Sequence, residues 1–261
     1  MTPLKGAGSR RAKAQPPMLR LADPRLVRVL LADPGLGDGL APDRFAAAQQ
    51  QVVAASAALE PWAERTSLDS ASTALDPSLL VLGGLLLRQV AIDGRQCSEL
   101  LGPGDVIRPW DSDPPGLPVE QSLRWRVVKP TRVALLNGRF FDSASPWPEV
   151  LGAVVSRAVG RAQSLAAHLT ISSMTRIEDR MSLLFWHLAA RWGQVTPAGV
   201  RVELPLTHEL LAELVGAQRP TVTSALARLS SRKALQREGN GSWLLIPAGD
   251  PGQGRSDWAR G

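Results

Sequence analysis

Apolar residues follow two rhythms along the chain, short runs before residue 142 and helical spacing after it. Between residues 78 and 141, runs such as LLVLGGLLLRQVAI, RWRVV and TRVALLN lie among turn signals that include Asp93-Gly94 and Asn137-Gly138, a pattern typical of short strands. Residues 42–59 are rich in helix formers and begin with Pro42, which fits a first helical turn. The pattern predicts one helix over 42–59, followed by a small β-roll or barrel.

After Trp147-Pro148, apolar residues recur at spacings of three and four and indicate a long amphipathic helix. Many of them are small, which suits close packing against a second copy of the chain. An ordinary helix within one domain is the alternative. The stripe consists of Leu151, Val154, Val155, Ala158, Ala162, Leu165 and Leu169. A second helix with Ile177, Met181, Leu184 and Leu188 follows, and then a short strand with Val202, Leu204 and Leu206.

The C-terminal segment predicts a helix, a tight turn, a second helix and a hairpin. Thr207 is a suitable N-cap for the first helix, and Gly216 can adopt the left-handed conformation that ends it. Asn240-Gly241 is a strong signal for the turn of a hairpin. This order is that of a winged helix-turn-helix.

The second of these helices has one apolar and one polar face. Val222, Leu226 and Leu229 form the apolar stripe, whereas Thr221, Ser224 and Arg228 share another face. Arg219 and Pro220 fall in the first turn, and an arginine there can bond O6 and N7 of a guanine in the major groove. We therefore expect this helix to read DNA. A pair of helices used for packing alone is the alternative.

The whole arrangement resembles the Crp/Fnr family of transcription regulators over residues 25–248, most closely in LTHELLAELVGAQRPTVTSALARL. The resemblance implies an α+β chain with an N-terminal, jelly-roll-like β-roll domain, a long dimerisation helix and a C-terminal winged helix-turn-helix domain. The implied boundaries are a flexible basic leader over 1–25, a cyclic-nucleotide-binding-like β-roll with an N-terminal helix over 26–146, the dimerisation helix over 147–173, the winged helix-turn-helix over 174–248 and a tail over 249–261.

The resemblance also implies roles for single residues at the DNA. Arg219 would read a guanine edge, while Thr207, Thr221 and Gly239 fall where the family contacts phosphates. Pro220 replaces a frequent glutamate and Ser224 a common arginine, so the preferred half-site should differ from that of the best-known members. The predicted DNA-binding residues are Thr207, Gln218, Arg219, Pro220, Thr221, Ser224, Arg228 and Gly239.

The segment LLGPGDVIRPW resembles the strand and turn before the family's phosphate-binding cassette. Gln121-Ser122 stand where nucleotide-binding members carry Arg-Ser, and a neutral glutamine cannot balance a buried phosphate. We therefore predict that cyclic AMP does not control this protein. Three alternatives stay open: a phosphate site shifted to Arg124, an apolar effector beside Trp110 and Trp125, and a ligand-free dimer. Tryptophans in a small β-roll are more often part of the core than of a ligand pocket. The candidate ligand residues are Gly104, Asp105, Gln121, Ser122 and Arg124.

Composition narrows the class of protein. The formal charge of +6 favours a polyanionic partner such as DNA. Cys97 is the only cysteine, which excludes an internal disulfide, a Cys-ligated iron–sulfur cluster and a Cys-rich zinc site. The sequence contains no apolar run of membrane-spanning length and no signal peptide, so we expect a cytoplasmic protein.

Enzyme chemistry finds little support in the sequence. The three histidines, His168, His187 and His208, lie outside the predicted β-roll, and no nucleophile–base pair or nucleotide fingerprint is present. We expect no catalysis, metal or cofactor; a cupin-like metalloenzyme is the enzymatic alternative. The expected partners are double-stranded DNA and a second copy of the chain, with RNA polymerase and a small-molecule effector left open. The main rival function is a ligand-sensing or interaction dimer with weak, non-specific DNA binding.

Overall fold

The elements of the protein divide near residue 137, with strands dominating before it and helices after it. The computed structural model describes residues 22–59, 78–108 and 121–247. Within these ranges the α-helices are α1 (Val29–Ala32), α2 (Pro42–Gln51), α3 (Gly138–Ala144), α4 (Pro148–Ser173), α5 (Ile177–Trp192), α6 (His208–Val215) and α7 (Arg219–Ser231), and Pro34–Gly37 form a 3-10 helix. The strands are β1 (Ala22–Arg28), β2 (Val53–Leu59), β3 (Ser78–Ile92), β4 (Arg95–Leu101), β5 (Val106–Ile107), β6 (Gln121–Leu136), β7 (Gly193–Thr196), β8 (Gly199–Val202), β9 (Leu235–Arg237) and β10 (Trp243–Leu245).

The N-terminal sheet has the strand order β1-β2-β6-β3-β4, and β5 also pairs with β3. Its central strands, β3 and β6, have 15 and 16 residues. The sequence pattern predicts several short strands here, whereas the structure has these two long ones. The register shifts at Gly83 and Gly84, and Gly84 has a φ of +92° where a Cβ would overlap the backbone of Pro130 and Thr131. Leu79 and Leu86 consequently join the same core cluster despite their odd spacing.

The predicted helix over 42–59 is only half correct. Helix α2 ends at Gln51, and residues 53–59 form β2, which pairs with both β1 and β6. Ala54, Ala57 and Leu59 of this strand are buried. Alanine's helix propensity amounts to a few tenths of a kcal/mol per residue, which pairing on two strand edges and burial outweigh.

Asn137-Gly138 was expected to be a turn between strands and instead begins helix α3. The side chain of Asn137 accepts a hydrogen bond from the backbone N–H of Phe140 at 3.4 Å, as an N-cap does. Phe140 and Ala144 then pack into the core beside α4. Asparagine is favourable both in turns and as an N-cap. Here the helix forms because it buries Phe140.

The predicted long helix and its successor are present as α4 and α5. Met181, Leu184, Phe185 and Leu188 of α5 pack with α6 and α7. Leu85, Leu87 and Leu100 of the N-terminal sheet belong to this same cluster, so the sheet and the C-terminal helices share one core. The strand expected through Leu206 ends at Val202, although Leu206 is buried as its alternation predicted.

The C-terminal sheet has the order β7-β8-β10-β9, and its last hairpin turns at Asn240-Gly241 as predicted. The predicted α+β class, with an N-terminal β domain, a long helix and a C-terminal winged helix-turn-helix, is confirmed. Strand β1 begins at Ala22, inside the range assigned to the leader. Trp110, most of that leader and the tail over 249–261 lie outside the described residues. In the ranges that the structure describes, no helix is long and apolar enough to cross a membrane.

Candidate nucleic-acid interface

The helix-turn-helix is built from local signals at its two helix ends. The Thr207 hydroxyl accepts a hydrogen bond from the Leu210 N–H at 3.1 Å and caps α6. Gly216 ends α6 in the left-handed conformation with a φ of 64°. Only Ala217 and Gln218 intervene before α7 begins, and this short turn fixes the crossing of the two helices.

Helix α7 presents a buried face to the protein and a polar face to solvent. Val222, Leu226 and Leu229 are buried as predicted, and Ala225 joins them. Thr221, Ser224 and Arg228 are exposed on the other face. Pro220 lies in the first turn, where the missing N–H breaks no helical hydrogen bond. The fold thus exposes the face that the sequence assigned to DNA.

Arg219 is the first residue of this helix and is exposed. Within the described part of the chain, no acidic side chain or carbonyl pairs with its guanidinium. The group is therefore available to bond an external acceptor. Ser224, one turn later, donates its hydroxyl to the carbonyl of Pro220 at 3.1 Å, which leaves its lone pairs facing outward.

Arg228 differs from Arg219 because it has an acidic partner. Its guanidinium forms an ion pair with Glu178 in the first turn of α5, although the arginine side chain is still 60% exposed. A bond from its own backbone N–H, together with Arg228, holds the pKa of Glu178 below its usual value. Sequence reasoning missed Glu178, since nothing in the pattern links residues 50 positions apart.

The wing is fixed by a polar cluster at its base. Arg201 of β8 donates to both oxygens of Glu238, at 2.7 and 3.0 Å. Ser242 also donates to Glu238 and lies 2.7 Å from the side-chain oxygen of Asn240. The bonds from Arg201 and Ser242 lower the pKa of Glu238 to about 2. Gly239, a predicted phosphate contact, is exposed at the tip of this hairpin.

Helix α4 leaves an apolar seam uncovered. Val154 packs into the N-terminal core, whereas Val155 is 63% and Val159 53% exposed. Part of the predicted stripe is therefore internal, whereas Val155, Ala162 and Leu169 of that stripe belong to an exposed seam, which Val159 and Ala166 complete. The residues of this seam follow each other at spacings of four, three, four and three, which is the a/d pattern of a coiled coil. All of them are exposed: Val155, Val159, Ala162, Ala166 and Leu169.

Of the candidate ligand residues, Gly104 and Asp105 are tied into the fold. The Asp105 carboxylate accepts from Arg191 of α5 at 2.6 Å on each oxygen and from the Gly102 N–H at 2.7 Å. Gly104 has a φ of +91°. Its carbonyl oxygen accepts a hydrogen bond from the guanidinium of Arg157 in α4 at 3.4 Å.

The other three candidates belong to β6. Gln121 and Ser122 pair with Ile92 and Ala91 of β3, and their side chains lie outside the described part. Arg124 is exposed on this strand, and the neighbouring Trp125 is buried, with no partner for its indole N–H among the described residues. A ligand-binding role for these residues stays a prediction.

Polar contacts join the sheet, α4 and the helix-turn-helix at one junction. Glu99 of β4 is buried and accepts from Arg161 of α4 at 2.9 Å on each oxygen. Glu213 of α6 accepts from Arg126 of β6 at 2.7 Å and from Gln89 of β3 at 3.2 Å. His168 of α4 lies 2.8 Å from the carbonyl of Leu214. The partners in these contacts lie between 46 and 124 residues apart in the chain, so residue spacing could not predict them.

His187 of α5 lies in the same junction. Its Nε2 is 3.1 Å from the Ser164 hydroxyl, and its ring centroid is 6.0 Å from that of His168. Burial, and then the charges of His168 and Arg191, lower the pKa of His187 to about 4. The imidazole is therefore neutral at physiological pH.

Comparison with known proteins agrees with this geometry. Residues 179–248 match the model of the Crp-like helix-turn-helix domain. The CRP-like cAMP-activated global transcriptional regulator of Mycobacterium tuberculosis is 28% identical over 165 residues, which are 62% of this chain and 71% of that protein.

Solved structures share the fold at low sequence identity. A cyclic nucleotide-binding domain containing protein from Listeria monocytogenes aligns with a TM-score of 0.57 and 13% identity, covering 72% of this chain and 87% of that one. A CooA variant from Carboxydothermus hydrogenoformans aligns with a TM-score of 0.52 and 18% identity over 87% and 93%. FixK2 from Bradyrhizobium japonicum gives 0.51 and 17% over 76% and 98%. The predicted resemblance to Crp/Fnr regulators is confirmed.

Proposed function

We propose that this chain is a transcription regulator of the Crp/Fnr type, which binds a pseudo-palindromic operator as a homodimer and is not controlled by cyclic AMP. The observation that carries the proposal is the uncovered face of α7, where Thr221 and Ser224 are exposed and Arg219 has no acidic partner within the described residues. A planar guanidinium in the first turn of such a helix can bond guanine O6 and N7 together.

The exposed seam of α4 supports the homodimer. Val155 and Val159 would cost free energy if they stayed in water, and alanines at the next seam positions permit a close approach of two helices. A two-fold axis along α4 would present two copies of α7 to successive major grooves on one side of DNA, about 34 Å apart. The operator would then have two half-sites related by the same two-fold symmetry.

Independence from cyclic AMP rests on the residue at position 121. The similar Mycobacterium tuberculosis protein is named as cAMP-activated, but this chain has neutral Gln121 where the resemblance places an arginine. An anionic phosphate needs a cation or several donors to offset its desolvation. Asp105 is also buried and both of its oxygens already accept from Arg191, so that carboxylate is poorly placed to accept from a ligand hydroxyl.

The test is selection of duplex DNA from a random-sequence pool by the full-length protein, with and without cyclic AMP. We expect one symmetric motif to be enriched equally under both conditions. Retention that depends only on salt and not on sequence would overturn the operator proposal and favour the interaction dimer, to which Pro220 and Ser224 lend some support. Strong enhancement by cyclic AMP would overturn only the ligand part of the proposal.

A further inference from the structure

His208 and Thr223 link the two helices of the helix-turn-helix beside the residue proposed to read DNA. His208 is the first residue of α6, and its Nδ1 lies 2.9 Å from the hydroxyl of Thr223 in α7. The same hydroxyl lies 3.0 Å from the carbonyl oxygen of Arg219 and donates to it. The three groups form a continuous chain from the start of α6 to the first peptide of α7.

The direction of each hydrogen bond follows from the protons available. A threonine hydroxyl carries one proton, and Thr223 uses it for the carbonyl of Arg219. The bond to His208 therefore requires the imidazole to donate through Nδ1–H. Nε2 is left without a proton in the neutral ring, and no group in the described ranges bonds to it.

We propose that His208 is a positioning residue for DNA reading, which holds the first turn of α7 through Thr223 and so fixes the direction in which Arg219 leaves the helix. Within the described residues the Arg219 guanidinium has no hydrogen bond or ion pair that could orient it, so the placement of its backbone largely determines where the guanidinium points. A bidentate bond to guanine tolerates little rotation, because both N–H groups must align with O6 and N7. This inference deepens the proposed function and rests on it.

The hydrogen-bond chain itself is tested without DNA, through the tautomer of His208. The chain has three histidines, so imidazole nitrogen signals are few and substitution assigns them. In the neutral wild-type protein we expect ¹⁵N NMR to report the Nδ1–H tautomer for His208. In Thr223→Val, which keeps the side-chain shape but lacks the hydroxyl, the Nε2–H form should dominate. An Nε2–H tautomer in the wild type would overturn the proposal.

Its effect on DNA reading is tested by discrimination between two duplexes. One is the selected operator. The other differs from it at a single base pair, the one that the Arg219→Ala variant no longer selects. Fluorescence anisotropy with His208→Ala and Thr223→Val should show discrimination reduced by about fivefold or more. The double variant should lose no more than the larger single loss, because both substitutions break one chain. His208→Asn, which retains an N–H donor near the place of Nδ1, should keep most of the discrimination.

Other results of these experiments would overturn the inference. Losses that multiply in the double variant, or equal weakening on both duplexes, would show separate or merely structural roles and would overturn the inference. A wild type that selects no motif would overturn the proposed function and the DNA-reading role of His208 with it, while the tautomer measurement would still decide whether the hydrogen-bond chain exists. Circular dichroism melting of each variant identifies any loss that comes from unfolding.

Discussion

Arg191 holds both carboxylate oxygens of Asp105 at 2.6 Å, although the two residues are 86 positions apart and belong to different halves of the chain. The arginine extends from the last turn of α5, stacks on Trp192 with its guanidinium carbon 4.0 Å from the ring centroid and donates to the Leu100 carbonyl at 3.2 Å. The orientation of the helix-turn-helix against the sheet therefore depends on a buried ion pair as well as on the shared apolar core.

Asp105→Asn should destabilise the protein by about 3–5 kcal/mol, because it leaves the largely buried Arg191 guanidinium without its counter-charge. The measurement is the free energy of unfolding from urea denaturation. Glu149→Gln, which breaks an ion pair with the 42% exposed Arg44, is the control and should cost far less, because solvent screens an exposed pair. Equal effects of the two substitutions would show that the Asp105 pair contributes no more than a surface pair.

The winged helix-turn-helix could be predicted because its signals are local. The Thr207 cap, the left-handed Gly216 and the leucine spacing of α7 each act within a few residues. Strand β2 could not be predicted, since its alanines favour a helix until β1 and β6 supply partners. The ion pair of Glu178 with Arg228 likewise depends on how α5 and α7 cross, which residue spacing alone does not determine.

Replacing the proposed base-reading arginine should separate discrimination from charge. Arg219→Ala should lower discrimination at one base pair in each half-site by about 1–3 kcal/mol. Arg219→Lys keeps the positive charge but lacks the fork, so it should lose most of this discrimination while preserving the salt dependence of binding. Selection and anisotropy titrations measure both quantities. Arg139→Ala, which replaces an exposed arginine of α3, is the control, and a comparable loss there would refute the assignment.

Removing the acidic partner of Arg228 should strengthen DNA binding. Glu178→Gln breaks the ion pair and frees the guanidinium for a phosphate, so the plot of log affinity against log salt should steepen by about 1–2 for a dimer. Asp179→Asn removes the same charge one residue away, where no ion pair is formed within the described residues, and controls for the change in net charge. The steepening should vanish when Arg228→Ala is also present. If both carboxylate substitutions act equally, Glu178 does not restrain Arg228.

The exposed seam of α4 predicts the oligomeric state. Val159→Glu would place two carboxylates against each other in an apolar helix pair, and we expect the dimer dissociation constant to rise at least about tenfold. Sedimentation velocity over a concentration series measures this constant. Ala167→Glu introduces the same charge on an exposed position beside the seam and should leave the dimer intact. Loss of the dimer in both variants, or in neither, would place the interface elsewhere.

The lowered pKa of His187 predicts that the protein loses stability in mild acid. Its pKa of about 4 in the folded protein lies below the ordinary 6.5, so unfolding takes up a proton between these values and stability falls as the pH drops from 6.5 toward 4. His187→Gln keeps a polar partner for Ser164 but cannot be protonated, and its Tm should fall less than that of the wild type over this interval. The carboxylates titrate alike in both proteins, so the difference between the two Tm profiles isolates the imidazole. Parallel wild-type and His187→Gln profiles would mean that the junction tolerates a protonated His187, and that its burial between α4 and α5 is too slight to depress its pKa.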